Sequence, residues 1–292
     1  MGHYFRVYRE PSKERNFFGL GFFRLNVSGW LIVVNIIFFI LIMLLSFIFG
    51  SEKIFSLFAL QPNNLFVNGY FWTLLTSMFM HAGFFHLFVN MFSLFFIGRF
   101  LEMLIGKKRF FWLYIISGIF AGIFFAGLSY FFGYGYIGKS LFGSPGTFAV
   151  GASGALFAIA GVLAFLTPKN KVYLIAGPLV ALIVQVIINK FVESPILASI
   201  LNFLIMIYIF ISLFAIISFR PNLLKVALPI EMPFWILPVV AIVPLVLIGF
   251  FVELPIGNMA HLGGFIAGAI YGIYLRIKYK KKTRLIAEYF SR

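Results

Sequence analysis

The stretch Gly257-Asn258-Met259-Ala260-His261-Leu262-Gly263-Gly264-Phe265-Ile266-Ala267-Gly268-Ala269-Ile270-Tyr271-Gly272 decides how this chain folds. Gly257, His261, Gly264, Gly268 and Gly272 recur at i, i+4, i+7, i+11 and i+15. At ~100° per residue these positions share an arc of about 80° on one helix face. The segment stays apolar to Arg276, and ~20 such residues cross ~30 Å of hydrocarbon as a helix. A stripe of small residues lets a second membrane helix approach at backbone range. A histidine within that stripe is an ionisable side chain in a costly place, which makes it a functional candidate.

Working outward, the chain has 292 residues, 62% of them hydrophobic and 11% charged, with 42 Phe and no Cys. A soluble domain could not hide that much apolar surface, whereas a bilayer is an apolar solvent for it. Apolar runs lie at Trp30–Phe49, Phe84–Ile105, Phe110–Phe132, Gly151–Thr167, Val172–Asn189, Ile196–Phe219, Pro233–Val252 and Gly257–Arg276. Each suits a spanning helix, so the expectation is an all-α polytopic membrane protein of eight spans. Residues 1–29 form a polar and aromatic tail, 30–276 the membrane domain and 277–292 a basic tail. The first run starts at Trp30, is long, and follows mixed charges, which argues against a cleaved signal peptide.

The net charge of +15 could suggest nucleic acid, but its distribution points to a membrane. With the N-terminus inside, all Lys and Arg except Lys53, Lys139 and Lys190 fall in cytoplasmic segments. The positive-inside rule therefore puts both termini in the cytoplasm, with the cell membrane as the expected site. The tail Arg276–Arg284 suits anionic lipid headgroups, and no nucleic-acid partner is expected.

Residues 51–83 are too apolar for a free loop and too broken for a span. Leu65-Phe66-Val67, Tyr70-Phe71-Trp72 and Leu74-Leu75 suggest short elements in the outer interface. Gly133–Val150, punctuated by Gly and Pro, reads as an outer loop leading to Ser153.

Parity then aligns the chemistry. Spans two, four and eight all begin at the outer face, and His86, Ser153 and His261 sit three to five residues into them. At ~1.5 Å per residue they share one layer ~5–8 Å deep. In Gly151-Ala152-Ser153-Gly154, the serine opens its helix among N–H groups that lack intrahelical partners and suit a developing oxyanion. Alone, that motif reads as helix packing. The glycine stripe around His261, matched by small residues Ala160, Gly161 and Ala164 on the Ser153 face, implies that the two helices touch. His86 and Asn90, at i and i+4 on span two, offer side-chain donors for an oxyanion or form an interhelical clamp. His81 precedes that span and suits a supporting role, orienting the neighbouring loop.

Absences narrow the chemistry. All eight acidic residues are Glu, so neither a Ser-His-Asp triad nor an aspartyl dyad can form. The chain has no Cys and no H-E-x-x-H, and neither a metal nor a cofactor is expected. What remains is a Ser-His dyad, with His261 as general base and then acid.

These residues resemble the rhomboid family of intramembrane serine proteases. The resemblance runs through Trp72–Gly83, His86, Asn90, Gly98, Leu101-Glu102, Gly106, Gly151–Gly154, Ala260–Gly264 and Gly268. It implies a rhomboid-like helical bundle in which Ser153 is the nucleophile, His261 the base, and His86, Asn90 and the Ser153 N–H the oxyanion hole. Other proteins' transmembrane helices, cut near the outer face, would be the substrates. Pro233–Val252 with the loop Glu253–Gly257 would be the movable wall through which they enter. Two residues depart from the family pattern: Thr73 replaces a common Arg, and Phe157 replaces a common Tyr while still able to stack on the imidazole. The family's bacterial core has six spans, so Val172–Phe219 is expected to be an inserted helical hairpin, whose two crossings preserve the orientation of His261. Two other readings compete. A catalytically silent relative that binds membrane proteins would lack the serine or the histidine. A transporter would place its polar groups near the bilayer centre.

Overall fold

The computed structural model describes residues 26–218, 220–249 and 257–289. Most of the N-terminal tail and of the expected outer loop Glu253–Gly257 lies outside the described residues, as does Glu253 itself.

Each of the eight apolar runs holds a helix, because in hydrocarbon a segment must satisfy its own backbone polar groups. Helix α1 is Val27–Phe49, followed by short α2 (Ser51–Phe58), α3 (Pro62–Phe66) and α4 (Thr73–Thr76). Next come α5 (Phe84–Ile105, with a π turn at Leu94–Gly98), α6 (Lys107–Phe132), short α7 (Gly135–Phe142) and α8 (Ser153–Leu166). The remainder are α9 (Ala176–Phe191), α10 (Pro195–Ile217), α11 (Leu237–Gly249), α12 (Asn258–Lys278) and α13 (Lys280–Tyr289). Of these, α1, α5, α6, α10 and α12 are long and apolar enough to cross a membrane, and α8 and α9 are shorter apolar helices. The chain is an integral, all-α polytopic membrane protein.

Two compact units emerge: one from the segments up to Pro168 and from Pro238 onward, the other from Lys169–Leu237. In the first, α8 is central. Ala155, Ala158, Ile159, Val162 and Leu163 are each at most 1% exposed, so protein rather than lipid surrounds this helix. Its heaviest packing is against α12, then α6. The start of α1 is pinned by buried Glu102, whose carboxylate accepts from the Val27 N–H, the Ser28 N–H and the Ser28 hydroxyl, each at 2.9 Å. Those are the N–H groups that a helix start leaves without partners.

Residues 51–83 form the expected short elements, sewn together by side-chain hydrogen bonds. Trp72 Nε1 donates to the Leu57 carbonyl and Thr76 Oγ1 to the Phe58 carbonyl, both at 2.7 Å.

The second unit corrects one sequence reading. The run beginning at Val172 does not open as helix. Strand β1 (Lys171–Ile175) pairs antiparallel with β2 (Pro229–Pro233), Ile175 opposite Pro229 and Lys171 opposite Pro233. Hydropathy cannot separate a short strand from the first turn of a helix when both are apolar; here β-branched and aromatic Val172, Tyr173 and Ile175 favour the strand. Helices α9 and α10 are clamped by Asn202 Nδ2 donating to Asn189 Oδ1 at 2.7 Å.

Candidate active site

The segment leading into α8 is fixed before the serine is reached. Leu60 and Ala149 exchange backbone hydrogen bonds at 3.1 and 2.7 Å, and the Gly151 N–H donates to the Ser77 carbonyl at 2.8 Å. Gly151 has φ +123°, a region that side chains disfavour, and a methyl there would sit 2.8–2.9 Å from Cε1 and Nε2 of His86. Both constraints demand glycine, and together they press the His86 ring against the turn that carries Ser153.

Ser153 is the first residue of α8, and no side chain caps the helix start. The first backbone bond runs from the Leu156 N–H to the Ala152 carbonyl, 3.1 Å. The N–H groups of Ser153, Gly154 and Ala155 thus precede the intrahelical ladder and stay available to an anion.

The glycine stripe of α12 lies on α8 at backbone distance. A methyl on Gly264 would strike the Gly154 carbonyl oxygen and one on Gly268 the Ala158 carbonyl oxygen. On α8, a methyl at Gly161 would come 2.8 Å from the Phe265 carbonyl oxygen. The contact face runs through Gly154, Ala158 and Gly161, so that Gly161 of the face expected from sequence lies at the seam. Ser153 therefore stands at the edge of the helix pair, where its hydroxyl can protrude.

This packing brings Ser153 and His261 together. The Ser153 hydroxyl and His261 Nε2 are 2.8 Å apart across 108 residues of sequence. With Nε2 accepting the hydroxyl proton, a neutral imidazole carries its own proton on Nδ1, which is buried with no hydrogen-bond partner among the described residues. Ring orientation instead comes from Phe157, stacked on the imidazole with centroids 4.4 Å and planes 21° apart.

His86 and Asn90 lie on the opposite wall. The Ala82 N–H approaches His86 Nδ1 at 3.4 Å, which favours the tautomer with its proton on Nε2, the nitrogen facing Gly151. Buried Asn90 donates from Nδ2 to the His86 carbonyl at 2.8 Å, so one amide hydrogen is engaged and one remains. His81 is not part of the serine contact. It is 3% exposed, its Nδ1 donates to the Phe79 carbonyl at 3.3 Å, and its ring lies edge-on to His86 at 5.2 Å. Burial first, then charge on His86, lowers its pKa to about 3. Sequence reading missed the parts played by Ser77 and Ala82, because both act through backbone atoms that residue type does not reveal. Among the described residues no cluster of three or more His, Asp, Glu or Cys could hold a metal ion.

Comparison with known proteins matches the chain to a family. The Rhomboid domain model covers residues 68–228, more than half of the chain. Rhomboid protease AarA of Providencia stuartii is 27% identical over 93% of this chain and 79% of its own length. RHOMBOID-like protein 1 of Arabidopsis thaliana is 44% identical over 32% of this chain and 20% of its own. Inactive RHOMBOID-like protein 8 of the same plant is 43% identical over 18% of this chain and 15% of its own. The chain spans less than half the length of the first relatives it matches, between 20% and 43%.

Proposed function

The chain belongs to the rhomboid family, and we propose that it is a serine endopeptidase that cuts transmembrane segments of other membrane proteins near the outer face. The 2.8 Å contact between the Ser153 hydroxyl and His261 Nε2 carries this reading. Ser153 Oγ attacks the substrate carbonyl carbon while His261 Nε2 takes the hydroxyl proton. The resulting oxyanion is met by the Ser153 N–H, His86 Nε2–H and the remaining amide hydrogen of Asn90. Collapse breaks the C–N bond, and His261 returns the proton to the leaving nitrogen. Water then attacks the acyl-enzyme, again giving its proton to His261, and Ser153 regains its hydrogen as the acid product leaves.

The distribution of Lys and Arg supports cytoplasmic termini in a cell membrane, with the site toward the exterior. Separation of Lys169–Leu237 as a compact unit supports the reading of the α9–α10 hairpin as an insertion between core spans. Helix α11, which carries Pro244 in its interior, suits the movable wall through which a substrate helix enters. A catalytically silent binding factor would have no use for a serine hydroxyl held on an imidazole, and a transporter would need its polar groups nearer the bilayer centre.

Purified protein incubated with a single-span membrane protein tests the proposal. Mass spectrometry should find two fragments cut within the transmembrane segment, and none with Ser153→Ala. Intact substrate with both proteins would overturn the proposal.

A further inference from the structure

The unit Lys169–Leu237 carries a shallow, open trough lined by Ala176, Val180, Lys225, Leu228, Pro229 and Ile230. It lies at the first turn of α9, one end of an apolar helix, and in a bilayer the ends of such helices are where headgroups meet hydrocarbon.

One wall is built at a conformational cost. Leu228, with φ 50° and ψ 64°, is the single non-glycine residue in the left-handed region among the described residues. Leucine adopts that region only when its surroundings impose it, and such outliers gather at binding sites. Here the surroundings do impose it. The Leu228 carbonyl accepts from the Ala176 N–H at 3.2 Å, and the preceding Val226 carbonyl accepts from the Tyr208 hydroxyl at 3.0 Å. Gly177 lets the turn seat closely, since a methyl there would lie 2.9 Å from the Ala227 carbonyl oxygen. The result is a rigid turn that turns the Leu228 side chain outward, 54% exposed, beside Val180 (50%) and Ile230 (49%).

Over this apolar wall stands one cation. Lys225 is exposed and makes no salt bridge with a carboxylate among the described residues, whereas nearby Lys171 is paired with Glu231. An apolar trough with an uncompensated ammonium at its rim complements a molecule with a negative head and a hydrocarbon tail. We propose that this trough binds an anionic phospholipid, phosphate against Lys225 and acyl chain along Val180, Leu228 and Ile230.

The test uses the full chain with Val180 replaced by p-benzoylphenylalanine, reconstituted in vesicles of equal phosphatidylglycerol and phosphatidylcholine. Illumination followed by mass spectrometry identifies the captured lipid. One cation near the headgroups should favour phosphatidylglycerol adducts by about fivefold. Lys225→Gln should bring the ratio to parity at an unchanged unfolding midpoint. The same photoreactive residue at Ile196, 76% exposed on α10, should show parity throughout. Adducts at position 180 that merely mirror the vesicle composition would overturn the proposal. So would adducts to a second protein chain, or a preference abolished by excess inorganic phosphate, which would assign Lys225 to the free ion.

Discussion

The Cα of Gly264 rests against the carbonyl oxygen of Gly154, with no room for a methyl group between them. This contact sets the spacing of α8 and α12, and therefore whether a hydroxyl on one can meet an imidazole on the other. Gly264→Ala should force the helices apart, destabilising the fold by roughly 1–3 kcal/mol as overpacked cores do. Peptidase activity should fall further than stability does. Gly127→Ala, where an added methyl meets nothing within 4 Å, is the matched control and should change neither. Unfolding midpoints and cleavage rates of the two variants check this. Equal behaviour would show that close approach is not what positions the dyad.

Phe157 stacks on the imidazole whose Nε2 meets the Ser153 hydroxyl. Removing an aromatic partner forfeits about 0.5–1.5 kcal/mol, so Phe157→Ala should slow cleavage roughly 2- to 12-fold. Phe157→Tyr, which keeps the ring, should remain near the unsubstituted rate. If Phe157→Ala has no effect, orientation of His261 must come from the helix backbone.

Asn90 contributes less than Ser153 or His261, because one of its amide hydrogens already serves the His86 carbonyl. Ser153→Ala and His261→Ala should each abolish cleavage. Asn90→Ala should lose no more than the ~10²–10³-fold ascribed to a single oxyanion donor and leave measurable turnover. Total loss in Asn90→Ala with an intact fold would give Asn90 a larger role than charge stabilisation.

Acid should destabilise the fold through His81. Its pKa falls from 6.5 to about 3 in the folded protein, so the unfolded chain binds the proton more readily. The contribution is fully present above pH 6.5 and drains away as pH falls toward 3. By pH 5 the loss should reach about 2 kcal/mol at ~1.36 kcal/mol per pH unit. His81→Gln should flatten this part of the stability profile. Cleavage should fall on acidification for a separate reason, since a protonated His261 cannot accept the Ser153 proton, and that fall should persist in His81→Gln.

The meeting of Ser153 and His261 was legible in the sequence because its signals are residue types in places hydrocarbon makes costly. A serine opening one helix, a histidine in a glycine stripe and a second histidine at matching depth need no coordinates to be noticed. Their spacing along the chain also gave the helix pairing. Sequence marks small residues but not which backbone atoms meet: Gly161 was expected at the seam, and the carbonyls of Gly154 and Ala158 oppose the stripe as well. The β1–β2 ribbon was missed because Val172–Ile175 is as apolar as the helix it precedes, and its partner lies beyond the hairpin. The roles of Ser77, Ala82 and Leu228 are carried by backbone atoms or dihedral angles, to which hydropathy and motif spacing are blind.

The central claim is that His261 makes the Ser153 hydroxyl nucleophilic. Purified protein treated with a fluorophosphonate and digested for mass spectrometry tests it most directly. The expected result is one adduct, on Ser153, absent from Ser153→Ala and strongly reduced in His261→Ala. An unlabelled Ser153 in folded protein, or labelling that survives His261→Ala undiminished, would contradict it.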